Sequence, residues 1–512
     1  MFPIGFLYRG LALNPGGIAA EDDARALTYR ALVAEVEAAA SALQDRGVGA
    51  GDRVGICAEN NLQHMVAMLA VYAAGATWVP LNPRNAKAEL DAIVALTRPS
   101  MVIVDEACLE RIDLAGTPRL LARTAAASDA ADTLAGAIAR HRGKRPAWPQ
   151  RTLADIQGVK FTGGSSGRPK GVLQSYRCIN TLVASFLLTY GFTRDDCNLC
   201  AAPLTHGTSC MVLPILAVGG RHILRERIKP PEILEAFVER GVSTVFLPPT
   251  VIYAMLGHPG VETMRFPELR HLIWGAAPMP AERIREARRV FRGGFEACYG
   301  QTEAPMLLAA MRAGDFMDDA NLASCGRATA LTEIGIMDGD GRLLPPGETG
   351  EIVARGDLLM SGYLDMPDVT AATLVDGWLH TGDVGALDER GFLFIKDRLR
   401  DVVISGGFNV YPSDVEARLA QHPAVHECIV FGVPDAKWGE RVEAAVQLRD
   451  GAATTPEALI AFAREALGPV KAPKTIHFAR DLPKSPVGKV LRREAKARYG
   501  AVVEYSLDQR PQ

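Results

Sequence analysis

Apolar residues recur along the first hundred positions in two alternating rhythms. Leu32, Val36, Ala39 and Leu43 stand three to four residues apart, the spacing of one helix face. Thr28 offers a hydroxyl to the start of that helix, and Gly47 stands where a capping glycine ends one. The run from Asp52 to Cys57 reads as a short buried strand. From Met65 to Pro83 there is neither charge nor histidine, but Gly75 and Pro80 interrupt the run short of the roughly 20 apolar residues a membrane span needs. It predicts a buried helix ending at Gly75 and a buried strand at Thr77–Pro80. A helix around Ala86 to Leu96 and a strand at Met101–Val104 continue the alternation, which is that of an α/β fold with a largely parallel sheet. Residues 105–155 are less regular, and the basic stretch His141 to Arg151 reads as a surface connection.

The texture changes toward the C-terminus. Residues 330–396 are rich in Gly and Pro with short alternating runs, Gly350–Arg355 and Gly391 to Ile395, which suggest antiparallel hairpins. After Asp397 to Arg400 the pattern is that of a small separate domain: a helix from Ser413 to Gln421, a strand from Cys428 to Phe431 and a helix from Pro456 to Leu467. The expected division is 1–399 and 400–512. A length of 512 residues is ample for such an arrangement.

Charge and cysteine usage narrow the field. Lys plus Arg number 56 against 59 Asp plus Glu, a net charge of −3, which excludes the strong basic excess of a general nucleic-acid binder. The nine cysteines are odd in number and scattered, as in a reducing compartment. Cys197 and Cys200 form one CxxC, with no second pair to complete a zinc site. The start, MFPIGFLYRG, lacks the basic and long apolar regions of a secretion signal. The expectation is a soluble cytoplasmic protein with no integral membrane association.

The stretch Phe161 to Gly171 carries the most specific chemistry. Thr162, Gly163, Gly164, Ser165, Ser166, Gly167, Arg168 and Lys170 combine glycines, hydroxyls and cations. Glycines let the backbone approach a phosphate, hydroxyls donate to it, and Lys170 or Arg168 supplies charge. A Walker loop is excluded, because Pro169 precedes the lysine and Gly171, not Ser or Thr, follows it.

This loop closely resembles the signature of the AMP-forming adenylating superfamily, which includes acyl- and aryl-CoA synthetases, peptide-synthetase adenylation domains and beetle luciferases. Gly163 stands where the family usually has serine, and Ser165 and Ser166 where it has threonines. About eight further motifs follow in family order. In Cys298 to Glu303, the resemblance implies that Tyr299 packs on adenine beside Gly300, Thr302 contacts the α-phosphate and Glu303 binds Mg²⁺. Trp274 to Pro278 resembles the segment lining the adenine and acyl pockets, with Gly275, Ala276 and Ala277. Trp378 to Asp383 implies Asp383 as the ribose ligand. Asp397 to Asp401 implies a ribose or phosphate contact from Arg398 and a hinge at Arg400.

Near the end, Leu482 to Lys489 resembles the segment whose lysine bridges a carboxylate oxygen and the α-phosphate, here Lys489. A placed ammonium would stabilise charge developing there. Pro434 to Glu440 resembles a segment typical of acyl-CoA ligases, implying Trp438, with Ser405, Gly406 and Gly407, as CoA-binding. Pro203 to Gly207 implies that His206 gates the acyl pocket, with Thr205 replacing the usual aromatic. Further pocket candidates are Cys210, Val251, Met306 and Leu307, whose size suits an aryl, alicyclic or medium-chain acid.

The resemblance implies a large N-terminal region of two doubly wound α/β subdomains plus a small β-barrel, followed by a mobile α+β domain. It implies ATP, Mg²⁺ and coenzyme A as reactants, a small carboxylic acid as substrate, and room for a homodimer. The expected reaction forms an acyl-adenylate and pyrophosphate, then acyl-CoA and AMP. Rival readings are an enzyme that loads a carrier protein, a luciferase-like oxygenase, and a catalytically dead nucleotide-binding scaffold.

Overall fold

A computed structural model describes residues 2–114, 116–124, 132–162, 169–435, 437–484 and 490–500. The predicted alternation is there. Thr28 accepts a hydrogen bond from the Ala31 amide and opens the helix Tyr29–Asp45, and Gly47 follows its end at φ +86°. Leu62–Ala73, Thr77–Pro80, Lys87–Thr97 and Met101–Val104 follow as helix, strand, helix and strand. Gly75 takes φ +72°, a conformation that makes a glycine the natural stop between the helix and the strand.

The chain packs as two compact units. The first comprises the residues up to Ile334, with Val353–His380 and Gly391–Leu393. Two large sheets organise it. One has seven strands in the order Gly362–Tyr363, Lys170–Ser175, Ile156–Thr162, Thr77–Pro80, Arg53–Cys57, Met101–Val104 and Arg119–Leu121. Its middle strands are parallel and its loop-bearing edge is antiparallel. The other has nine strands, with His271–Trp274 and Thr244–Leu247 among its parallel centre. Central strands such as Thr77–Pro80 and Thr244–Leu247 are buried along their whole length, as strands covered on both faces must be.

The second unit comprises Gly335–Ile352, Thr381–Arg390 and the residues from Phe394 on. It therefore differs from a single cut between 399 and 400. Segments 335–352 and 381–390 join it because their strands share a five-stranded sheet with Leu393–Arg398, the small β part of the fold. A second five-stranded sheet is built around Val425–Asp435 and Gly439–Leu448, paired antiparallel. Alternate residues of these strands face two layers. Val430, Val442 and Ala444 pack with Val415, Leu419 and Leu459, while Ile429, Phe431 and Val433 pack with Leu482 and Ala495. The helix Pro456–Lys471 runs past the expected end at Leu467, with a break at Gly468 (φ +76°).

The stretch His141 to Arg151 is more than a surface connection. His141 is buried and holds Asp45 at 2.8 Å, and the Arg151 guanidinium lies 5.5 Å from the centre of the buried Tyr176 ring. All nine cysteines are free. Cys197 and Cys200 lie buried in one strand, and no group of three potential metal ligands occurs among the described residues. No described helix is long and apolar enough to cross a membrane.

Candidate active site

The anion loop joins two antiparallel strands. Thr162, the last residue of Ile156–Thr162, pairs with Lys170, the first of Lys170–Ser175, so the loop leaves and re-enters the sheet at one point. Gly163, Gly164, Ser165, Ser166 and Gly167 lie outside the described residues. Lys170 is anchored beyond them: its Nζ lies 5.2 Å from the centre of the Tyr363 ring. Tyr363 reaches it because Gly362–Tyr363 pairs antiparallel with Leu173 and Val172. The Tyr363 hydroxyl in turn donates to Glu303 Oε1 at 2.8 Å. Burial, and then the Glu303 charge, push the Tyr363 hydroxyl well above the usual phenol range, so it remains a proton donor to that carboxylate.

The segment Tyr299 to Leu307 is pinned at several points. The Gln174 amide donates to Thr302 O at 2.8 Å, and the Met360 amide donates to Glu303 O at 2.8 Å. A Cβ on Gly300 would stand 2.5–2.7 Å from the Met306 backbone, so only glycine fits. Tyr299 and Leu307 are buried, and Leu307 O accepts from Thr329 at 2.8 Å. Two non-glycine residues here take the left-handed conformation, Ala276 at φ +69° and Met306 at φ +57°. Such strain, about 1–3 kcal/mol each, persists only where the surroundings enforce it, and it gathers at functional sites. Gly275, beside Ala276 and Ala277, also packs too closely for a side chain, with Cys298 O 2.8 Å from where a Cβ would be.

The acyl-side candidates cluster on the turn Gly207–Met211. Gly207 packs against Phe246 and the Met306 sulfur. His206, which precedes the turn, is exposed, and its Nδ1 lies 3.0 Å from Thr205 Oγ1. The protein packed around the ring, and then the cations Lys160 and Arg84, push His206 down to about 4. It is therefore neutral at pH 7, able to accept or donate one hydrogen bond without charge. Cys210 is buried on the same turn, and Val251 is half-buried in the helix Pro249–Leu256.

The second unit carries the remaining candidates. Asp383 is buried, and Arg398 Nε holds its Oδ1 at 2.8 Å, so these two expected nucleotide ligands meet. Arg400 lies exposed in the short turn Leu399–Asp401. Ser405, Gly406, Gly407 and Trp438 also converge. The Gly406 amide donates to Trp438 O at 2.7 Å, Ser405 pairs with Gly439, and Gly406 and Gly407 turn at φ +59° and +83°. Lys489 lies outside the described residues. Next to it, Arg492 binds Asp397, Asp401 and Glu416 at 3.0, 2.9 and 2.8 Å.

Glu303 fits the role of a magnesium ligand. Mg²⁺ takes oxygen ligands, typically one or two carboxylates with phosphates and water completing the shell. Here a single half-buried carboxylate, steadied by one phenol, stands near the loop's lysine. Sequence reasoning missed Tyr363 and Gln174, which lie far from the motifs along the chain and meet them only through strand pairing. It also missed Lys160 and Arg492. Lys160 did leave a trace, as the one cation inside the otherwise uncharged strand Ile156–Thr162.

A strand pair that brackets the loop, a carboxylate tied to the tyrosine beside Lys170 and a second compact unit are the parts expected of an adenylate-forming enzyme. The AMP-binding enzyme family model matches residues 8–364, and the model of the AMP-binding enzyme C-terminal domain matches 414–489. The chain belongs to the AMP-binding enzyme family. It is 36% identical to a feruloyl-CoA synthase of Amycolatopsis sp, over 96% of this chain and 98% of that protein. It is 35% identical to 3-[(3aS,4S,7aS)-7a-methyl-1,5-dioxo-octahydro-1H-inden-4-yl]propanoyl:CoA ligase of Mycobacterium tuberculosis, over 92% and 93% of the two chains. Among solved structures, the ATP-bound MatB from Rhodopseudomonas palustris superposes with a TM-score of 0.89 at 28% identity, covering 97% of this chain and 98% of that one.

Proposed function

We propose a substrate and a division of labour for this AMP-forming acid–CoA ligase. It joins a carboxylic acid to CoA through an acyl-adenylate, using ATP and Mg²⁺. The acid is apolar and ring-bearing: the relatives named above act on an arylpropenoic acid and on a propanoic acid carrying a fused alicycle. The observation that carries the reading is the chain Lys170–Tyr363–Glu303, which fixes a cation and a carboxylate beside the phosphate loop.

Residues 163–167 and Lys170 bind the phosphates, with Thr302 at the α-phosphate. Glu303 would hold Mg²⁺, whose charge would offset that of the phosphates. Tyr299, Ala276 and Ala277 take the adenine, and Asp383 and Arg398 the ribose. Neutral His206 positions the acid at the turn bearing Cys210. Lys489 supplies the ammonium that stabilises charge as the carboxylate displaces pyrophosphate. Residues 400–512 then act as a lid turning at Arg400. Lys489 withdraws, and Ser405, Gly406, Gly407 and Trp438 bring the CoA thiol to the adenylate. The thiolate displaces AMP and forms the thioester. Nine free thiols suit the reducing cytoplasm in which this chemistry would run.

The test is release of pyrophosphate and formation of AMP and acyl-CoA across a panel of acids, with CoA compared against a phosphopantetheinyl carrier protein. Ring-bearing acids should lead and CoA should be the better acceptor. Lys489→Ala should abolish pyrophosphate release while ATP binding persists. A clear preference for acetate or malonate, or for the carrier protein, would overturn the substrate and acceptor assignments.

A further inference from the structure

A small cavity of about 20 Å³ lies behind the turn that carries Ser209 and Cys210. That is room for about one water-sized group. Its lining combines apolar side chains, Leu182 and Leu213 among them, with residues that carry hydrogen-bond donors, Lys160, Trp78 and the Gln157–Tyr72 pair. Among the described residues no carboxylate lines it.

The donors are left wanting an acceptor. Lys160 Nζ meets Ser209 Oγ at 3.0 Å and lies 3.8 Å from Cys210 Sγ and 5.4 Å from the centre of the Trp78 ring. None of these is an anion, and an ammonium has three N–H bonds to satisfy. Ser209 Oγ spends its own proton on His206 O at 2.8 Å, so it serves Lys160 only as an acceptor. The Trp78 indole Nε1–H is buried with no acceptor among the described residues. Burying donors without partners is costly. Several donors around one oxygen-sized space therefore specify what should fill it. The turn that walls the cavity begins at His206 and packs through Gly207 on Phe246 and Met306. The cavity is thus walled by the same turn that carries the acyl-side candidate Cys210 and follows His206.

We propose that this cavity is a specificity subsite for one acceptor oxygen carried on the ring end of the acid, phenolic or ketonic, with Lys160 and the Trp78 indole as its donors. The proposal rests on the acid–CoA ligase reading and adds to it what distinguishes one ring-bearing acid from another. A site built to bond a substrate oxygen rejects the analogue lacking it far more strongly than an apolar pocket can.

The experiment compares kcat/KM within matched pairs, by AMP formation with CoA present. The phenolic arm is 4-hydroxycinnamate against cinnamate. The ketonic arm is 3-(4-oxocyclohexyl)propanoate against 3-cyclohexylpropanoate. The wild type should favour the oxygenated member of at least one pair by tenfold or more, and the arm that responds identifies the oxygen. Lys160→Met should cut that preference at least tenfold. Trp78→Phe, which removes the indole N–H donor along with part of the ring volume and keeps an aromatic side chain, should cut it by a smaller factor and covers the case that the lysine variant does not fold. Preferences within threefold in both arms, as expected if a water resides there, or a preference that survives both substitutions, would overturn the subsite. If no ring-bearing acid is turned over, the ligase reading falls, and the subsite with it; turnover without preference sinks the subsite alone.

Discussion

Replacing Arg492 by methionine should loosen the second unit and do so in a pH-dependent way. The guanidinium binds three carboxylates, Asp397 at 3.0 Å, Asp401 at 2.9 Å and Glu416 at 2.8 Å. Asp397 is buried, and it also accepts from the Ser413 amide at 2.9 Å, which ties the start of the helix Pro412–Ala420 to the same point. Burial alone would lower the arginine's pKa, but Glu416 and Asp397 outweigh it and hold the group charged. Removing one partner of a buried pair costs about 3–5 kcal/mol. Asp401 and Glu416 keep some access to water, so the lower figure, about 3 kcal/mol, is expected. At 1.4 kcal/mol per decade this is roughly a hundredfold loss of amide protection. Hydrogen exchange read by mass spectrometry on Pro412–Ala420 and Arg492–Tyr499 measures it. Burial already pushes Glu416 upward, and losing the guanidinium that opposes this pushes it further in the variant. Folded carboxylates with raised pKa bind more protons than unfolded ones, so stability falls as pH rises. The deficit should be larger at pH 7.5 than at pH 5.5 after correction for intrinsic exchange. A deficit under 1 kcal/mol, or one equal at both pH values, would refute the account of a buried charge hub.

Two further outcomes follow from the first unit. Tyr363→Phe removes a hydroxyl that steadies Glu303; a hydrogen bond to a charged group is worth about 1.5–3 kcal/mol. The Mg²⁺ concentration giving half-maximal AMP formation should therefore rise several-fold, and a curve superimposing on wild type would count against Glu303 as the metal ligand. Burial holds His64 and His222 down to about 4, and both are fully enclosed. His222 accepts from Asn198 at 3.1 Å and donates to Val212 O at 3.2 Å, a pattern that fits only the neutral ring. The unfolded chain binds protons at these positions near pH 6.5 while the folded chain does not, so stability is lost as pH falls from 6.5 toward 4, by up to about 3 kcal/mol per histidine. The melting temperature should fall across that window, less steeply in His222→Gln; a profile flat to pH 4.5 would contradict the assignment.

Periodicity made the first unit's elements legible because burial and local capping agree there. Thr28 caps its helix and Thr77–Pro80 is buried on both faces, as the pattern required. The division between units was less legible. Whether 335–352 belongs with the residues before or after it depends on which strands pair, and the alternation along one strand does not reveal its neighbour. His141 misled for a related reason. A basic stretch reads as surface, but Asp45, almost a hundred positions away, supplies the partner that lets the imidazole be buried.

The site divides along the same line. Motif residues could be named from the resemblance, Gly300 and Gly406 among them, although their packing on Met306 and bond to Trp438 appear only in the fold. Residues that act by supporting another side chain could not. Tyr363 has no motif of its own, and it matters only because the register Tyr363↔Val172 sets it between Lys170 and Glu303. Lys160 is the instructive middle case. A charged residue in a partly buried, otherwise uncharged strand conflicts with its neighbours' pattern, and such local conflicts are expected where function outweighs stability. The conflict could be seen in the sequence. Its meaning could not, because it took the fold to set Trp78 and Ser209 beside that ammonium and, among the described residues, to leave no carboxylate there, which turns an anomalous lysine into a cation whose acceptor is a hydroxyl and not an anion.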